Sequence, residues 1–112
     1  MTFDSGIVKI YSVENIAEPG ELPVNGLRFK EAFYYSNQSL GITRFYEAIK
    51  ANQLIERVIA IYRADLNINE IAVFEDGSQY VIKMIQPDKD EFGIDILKLS
   101  LERNGDNYEI IE

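Results

Sequence analysis

An Asp76-Gly77 pair stands between two runs of strand-forming residues, Ile71-Ala72-Val73-Phe74 before it and residues 79–86 after it. Asp-Gly in that setting is a strong hairpin signal, because both central residues of a type I′ turn need positive φ. A lone hairpin leaves its edges and one face uncovered, so other strands must pair with it and pack over it. The wider tract, residues 43–103, reads in order as a short helix, a strand, this hairpin and a further strand. It contains no cluster of reactive side chains.

The rest of the chain completes a β-rich pattern. Ile7, Val8 and Ile10 mark a first strand over residues 7–11, since β-branched side chains favour the pleat. Residues 13–26 carry Pro19-Gly20, Pro23 and Asn25-Gly26 and read as a turn-rich loop. From 27 to 35, Leu27, Phe29, Glu31, Phe33 and Tyr35 alternate with Arg28, Lys30, Ala32 and Tyr34, which predicts a second strand with one buried face. The period then changes. Ile42, Phe45, Tyr46 and Ile49 form a helical apolar stripe, with Arg44, Glu47 and Lys50 on the other side and an end near Asn52. Three turns are too short to be stable alone, so this helix must pack on the sheet.

Residues 54–62 form the densest apolar run and predict a central strand, followed by a polar turn over 63–69. Pro87 lacks an N–H and is expected to close the strand that follows the Asp-Gly turn. Residues 94–101 predict another strand whose alternation slips between Ile96 and Leu97, as a bulge or burial on both sides would cause. Asn104-Gly105 is a turn, and residues 108–111 can add a short last strand. The expected fold is mainly β, a small single-domain β-barrel or sandwich spanning 1–112. It has about six to seven antiparallel strands, with one short α-helix between the second and third.

Composition narrows the chemistry. The 112 residues include no cysteine and no histidine. Disulfide frameworks, thiolate sites and His-based nucleophilic machinery are therefore impossible, and typical zinc sites are excluded with them. No catalytic, cofactor-binding or metal-binding residues are expected, no cofactor, and no enzyme. The formal net charge of −8, from 19 acidic and 11 basic residues, disfavours direct or sequence-specific nucleic-acid binding. No apolar run reaches membrane-spanning length, and the first residues do not form a secretion signal.

Two motifs tempt and fail. Residues 88–93 carry acids at the first and third positions and glycine at the sixth, as a calcium loop does. Phe92 and Leu99 stand where the fifth and twelfth positions need ligands. Phe33, Tyr34 and Tyr35 could stack bases, but no positive groove accompanies them, so core and interface packing is the better reading.

The segments Arg44-Phe45-Tyr46-Glu47-Ala48, Arg57-Val58-Ile59-Ala60-Ile61-Tyr62-Arg63, Ile71-Ala72-Val73-Phe74, Asp76-Gly77 and Tyr80-Val81-Ile82 carry a resemblance. Together they are similar to the head-closure proteins of long-tailed bacteriophages, also called stoppers or head–tail adaptors, over roughly residues 29–103. The Pro/Gly loop at 17–26 has no counterpart in that pattern. The resemblance implies a virion or prophage structural protein, made in the host cytoplasm and ending in the head–tail connector. It implies a ring of identical subunits below the portal and adaptor rings, above the tail terminator, that helps retain packaged DNA. It also implies that residues 37–53 face the channel, making Arg44, Glu47, Lys50, Asn52 and Gln53 candidate channel or subunit contacts.

Three rival functions stay open at this point. A tail-terminator or tail-completion protein would use a similar barrel. A small acidic inhibitor that mimics DNA would need carboxylates spaced like phosphates. An enzyme using a carboxylate pair would need two convergent acids in one pocket.

Overall fold

A computed structural model describes residues 3–15, 17–22, 24–38, 55–105 and 108–110. The chain is mainly β. Its strands are β1 (Gly6–Asn15), β2 (Asn25–Gln38), β3 (Arg57–Tyr62), β4 (Ile71–Val73), β5 (Gln79–Lys89), β6 (Asp95–Arg103) and β7 (Glu109–Ile110). The helix expected from Ile42 to Asn52 lies outside the described residues.

One sheet holds all seven strands in the order β1-β4-β5-β6-β3-β2-β7, and β2 also pairs with β1. Six antiparallel strands thus follow one another in a circuit that returns to its start. The circuit closes through a short ladder, Lys9–Val73, Ile10–Ala72 and Tyr11–Ile71. The seventh strand departs from the all-antiparallel expectation. β7 runs parallel to β2, pairing Glu109 with Gly26 and Ile110 with Leu27.

Alternation along each strand sends one set of side chains to a shared interior. Val8 and Ile10 of β1, Ile59 and Ile61 of β3, Ala72 of β4 and Ile82 of β5 meet there with Leu97, Leu99 and Leu101 of β6. Tyr35 and Phe74 join the same core, and Phe33, Leu66, Tyr80 and Ile85 pack against it. A second, smaller cluster lies on the opposite face of β1, β4 and β5. Tyr11, Leu27, Ile71 and Val73 form it, and Val81 and Tyr108 pack against it.

Two bulges explain where the sequence periods mislead. Ile10 pairs with Glu31 but Tyr11 pairs with Phe29, leaving Lys30 as the extra residue in β2. Such an insertion reverses which side of the strand faces the core. Phe33 and Tyr35 therefore reach the interior, whereas Leu27 is buried in the outer cluster and Phe29 is 53% exposed. The single buried face expected for residues 27–35 is in fact two half-faces. In β5 the extra residue is Lys83, between Ile82–Leu101 and Met84–Ser100. The uneven pattern of β6 has one of the two expected causes: the inserted residue lies in its partner β5 and leaves the alternation of β6 unbroken, and Ile96 and Ser100 are buried on the face opposite Leu97 and Leu99.

The Asp76-Gly77 hairpin joins β4 to β5 as expected, but its turn differs. Gly77 has φ 85°, and among the described non-glycine residues only Asn69 has positive φ, so Asp76 does not. The Gly77 N–H donates to Phe74 O (2.9 Å) and the Phe74 N–H to Ser78 O (3.0 Å). This is a type I turn closed by a left-handed glycine. The Asp76 carboxylate stabilises it by accepting from the Ser78 N–H (2.9 Å) and Oγ (2.5 Å). Pro87 likewise does not end its strand. β5 continues to Lys89, with Pro87 opposite Leu97, because β4 pairs with β5 only from Gln79 to Val81. The missing N–H costs no ladder bond on an edge of that kind.

Gly6 is where backbone conformation is most constrained. Its φ is 142°, and a Cβ there would stand 2.7 Å from Glu75 Oε1 and 3.3 Å from Tyr35 Cε1. That Glu75 oxygen accepts the Ile7 N–H (2.6 Å), tying the start of β1 to the β4–β5 turn. Gly6→Ala is expected to lower unfolding free energy by about 1–3 kcal/mol, read as a shifted midpoint at unchanged slope in urea denaturation.

Candidate functional site

Arg44, Glu47, Lys50, Asn52 and Gln53 lie outside the described residues. What the structure does place is the pair of strand ends between which they fall. Asn37 and Gln38, at the end of β2, pair with Ile59 and Val58 of β3, so the two strand ends that flank residues 39–54 lie side by side at one end of the sheet.

That end is held by Arg57. Its guanidinium carbon lies 3.7 Å from the ring centre of Phe74 and 5.4 Å from that of Tyr35. Nη2 donates to Tyr35 Oη (3.1 Å) and Asn37 Oδ1 (3.0 Å). Phe74 meets both Tyr35 and Tyr80 edge to face, and Arg103 stands 5.6 Å from the Tyr80 ring. A planar cation can stack on one ring while its edge makes hydrogen bonds in its own plane, which an ammonium cannot do. The cluster joins β2, β3, the β4–β5 turn and β5. In the sequence, Arg57 is only a cation heading an apolar run, and nothing there indicates which rings it meets.

The opposite end carries the two long hairpin connections. β1 and β5 are both antiparallel to β4 and hence parallel to each other, so the loops after Asn15 and after Lys89 extend the same way. Both present apolar side chains to solvent. Leu22 is 85% exposed and Val24 47% on the first; Phe92 is 78% exposed and Ile94 46% on the second. Along β2, between its pairings with β7 and β3, Phe29 and Tyr34 are also exposed. Large apolar side chains exposed on two loops of one end are candidates for a surface that another protein covers.

Several of the acidic residues are engaged by cations of the same chain. Glu14 accepts from Arg28 (2.6 Å), Glu70 from Lys30 (3.0 Å), Asp88 from Lys98 (3.0 Å) and Asp95 from Lys89 (2.8 Å), and Glu102 lies 3.6 Å from Lys83. Glu70, buried beside the start of β4, also accepts the Asn67 N–H (2.5 Å). In the stretch resembling a calcium loop, Asp90 Oδ1 accepts the N–H groups of Phe92 and Ile94 (both 2.9 Å). These acids shape a turn, and no group of three or more metal-ligating acids occurs among the described residues.

A further constellation escaped the sequence reading. Gln79, 4% exposed, donates from Nε2 to Tyr108 O (2.9 Å) and accepts the Tyr108 N–H at Oε1 (2.8 Å). One side-chain amide thus satisfies both backbone groups of a residue as a neighbouring strand would. Next to it, Ile7, Lys9, Tyr11, Val73, Phe74, Glu75 and Ile110 line a groove of about 450 Å³. Only the folded sheet brings Gln79 against Tyr108, so no local spacing announces the pair.

The arrangement as a whole has a core enclosed by the strand circuit, one end tied by Arg57 over Phe74, and the other carrying exposed apolar side chains. The sequence matches no protein-family model, and no curated protein matches it.

Replacing Arg57 by alanine is expected to cost about 2 kcal/mol, from one stacked cation and its hydrogen bonds. Arg57→Lys is expected to recover less than half of that, measured by chemical denaturation. A second expectation concerns acid. Hydrogen bonds from Arg28 hold Glu14 below its ordinary carboxyl value, the Lys89 N–H and Lys98 hold Asp88 low, the Ile94 N–H holds Asp90 low, and Lys89 holds Asp95 low. Ser78 does the same for Asp76. Lowered folded values mean that these groups favour the folded state above the ordinary carboxyl value. That contribution is lost as pH falls through the lowered values. Thermal stability attributable to them should be flat from pH 7 to about 5 and decline below about 4. Amide exchange near residues 88–95 should quicken there first.

Proposed function

We propose that this chain is a structural virion or prophage protein that joins the DNA-filled head of a long-tailed bacteriophage to its tail. In this reading the six-strand circuit is a small barrel of the head-closure kind. Copies form a ring between the portal or adaptor above and the tail terminator below. The protein makes and breaks no bond. It works by fitting, and the ring helps retain packaged DNA.

The observation that carries the reading is the polarity of the fold. The core is completed by the circuit itself, yet two hairpins extend the same way with Leu22, Val24, Phe92 and Ile94 exposed at their ends. At the opposite end, the last residues of β2 pair with the first part of β3. A component of a stack needs two unlike ends, and neighbouring subunits in a closed ring cover apolar surface that a monomer leaves wet. The resemblance of the strand and hairpin segments points to the same part of a virion. The excess of 19 acidic over 11 basic residues suits a bore past which DNA must slide, since like charge repels its phosphates. Pairing of Glu14, Glu70, Asp88 and Asp95 with local cations does not favour a DNA mimic, whose carboxylates must stay free for a basic enzyme.

Purified protein added to DNA-filled heads lacking tails should bind at the portal vertex, appear there as a ring by electron microscopy, and slow DNA loss. Leu22→Asp with Phe92→Asp should abolish binding while leaving the melting temperature within a few degrees, since both side chains are on the surface. Heads that neither bind the protein nor retain DNA better in its presence would overturn the reading.

A further inference from the structure

We propose that the seat of the C-terminal strand is an exchangeable acceptor, which residues 108–110 of a second copy of this chain can fill as the chain's own segment does. The inference rests on the self-association in the reading above, but its test uses neither heads nor tails.

The seat is built for extended backbone. Gln79 is buried and uses both ends of its amide on the N–H and C=O of Tyr108. Its own backbone C=O accepts the Asn104 N–H (2.9 Å), which holds the position from which the segment departs. The Tyr108 ring packs on the outer cluster of Tyr11, Leu27, Ile71 and Val73. Glu109 and Ile110 then pair with Gly26 and Leu27 of β2. The aromatic side chain and the clamped amide make this seat specific for its occupant.

The hold is nevertheless small. Among the described residues, two residue pairs of parallel ladder, one buried amide and one ring retain the segment. Elements with so few contacts open more readily than the core strands. Ile110 remains 40% exposed and forms one wall of the groove that continues past it to Ile7, Lys9 and Glu75. The connection from β6 passes through Asn104-Gly105-Asp106-Asn107, residue types that favour turns and resist strand or helix. An identical segment from a neighbour would make the same contacts, so exchange changes little but the entropy of association, the usual basis of segment swapping.

Geometry limits the arrangement. The five residues from 104 to 108 span at most about 17 Å when extended. A donor's Arg103 must therefore come within that distance of the acceptor's Gln79 corner. In a ring this places the β5–β6 corner of one subunit against the β1–β4 face of the next, with each copy donating in the same direction.

The chain has no cysteine, so single cysteines give an unambiguous readout. Full-length Ile110→Cys and Lys9→Cys chains, both positions lining the same groove, are mixed at rising concentration and treated with a short bismaleimide. Exchange predicts covalent heterodimers of one chain of each kind, increasing with concentration. Tyr108→Ala in the Ile110→Cys chain should reduce them about tenfold, the effect of losing roughly 1.5 kcal/mol of burial. Because Gln79→Ala in the acceptor can disturb folding, the Tyr108 variant, altered only in the donor segment, is the deciding one. The double variant Lys9→Cys with Ile110→Cys reports intrachain seating. Efficient intrachain linkage without heterodimers at any concentration would overturn the proposal. So would heterodimers indifferent to Tyr108→Ala, which would assign the contact to another face. Heterodimers from a protein that fails to bind heads would leave exchange standing and remove the head–tail reading alone.

Discussion

Three residue pairs between β1 and β4 hold the architecture together. Without the ladder from Lys9 to Tyr11 against Val73 to Ile71, the six antiparallel strands would be an open sheet with β1 and β4 at seams. Closing the seam converts two exposed edges into hydrogen-bonded neighbours, the most complete protection a sheet can have. It also brings Ala72 beside Ile10 and so completes the interior wall. Gly6 and Glu75 reinforce the same seam one step along, where the Ile7 N–H meets a carboxylate from the β4–β5 turn. A three-residue strand can carry this load because Glu70 and Phe74, on either side of it, are themselves anchored to Lys30 and Arg57.

The bulges at Lys30 and Lys83 give the closed sheet its second layer. At each, the chain reverses its sidedness, so one strand serves the interior over part of its length and the outer face over the rest. For β2 the reversal places Leu27 under Tyr108 and frees Phe29 to pack edge to face on Tyr11, with ring centres 5.6 Å apart. The outer cluster thus depends on the same insertion that lets Lys30 reach Glu70. Strong local twist at such points is a common way for a small sheet to curl.

Directionality follows from these constraints. With β1 and β5 parallel, both long hairpin ends extend from one side, while the Arg57 cluster draws β2, β3 and the β4–β5 turn together at the other. The chain lacks histidine and cysteine, eight of its described acids are engaged in turns and ion pairs, and apolar side chains stand exposed at one end. That is the physical basis for reading it as a part of an assembly. The C-terminal segment fits the same logic, since its seat is made of side chains from strands distant in sequence and is held by few bonds.

The sequence alone established the β-rich class, because β-branched and aromatic residues at period two, broken by Asp-Gly and Pro-Gly pairs, suit little else. It also placed the β4–β5 hairpin, the apolar run that became β3 and the short terminal strand, each of which depends on neighbours in the chain. It excluded thiol and imidazole chemistry by the absence of those side chains. The single buried face expected of residues 27–35 and the strand end expected at Pro87 were lost because bulges and edge positions are set by the partner strand. The turn at Asp76 took its form from its own carboxylate and Gly77 rather than from the dipeptide rule. Only the tertiary structure decided that β1 closes on β4, that Arg57 lies over Phe74, and that Gln79 meets Tyr108. Those contacts join residues at least 17 positions apart, and no local periodicity encodes which distant strand will arrive opposite.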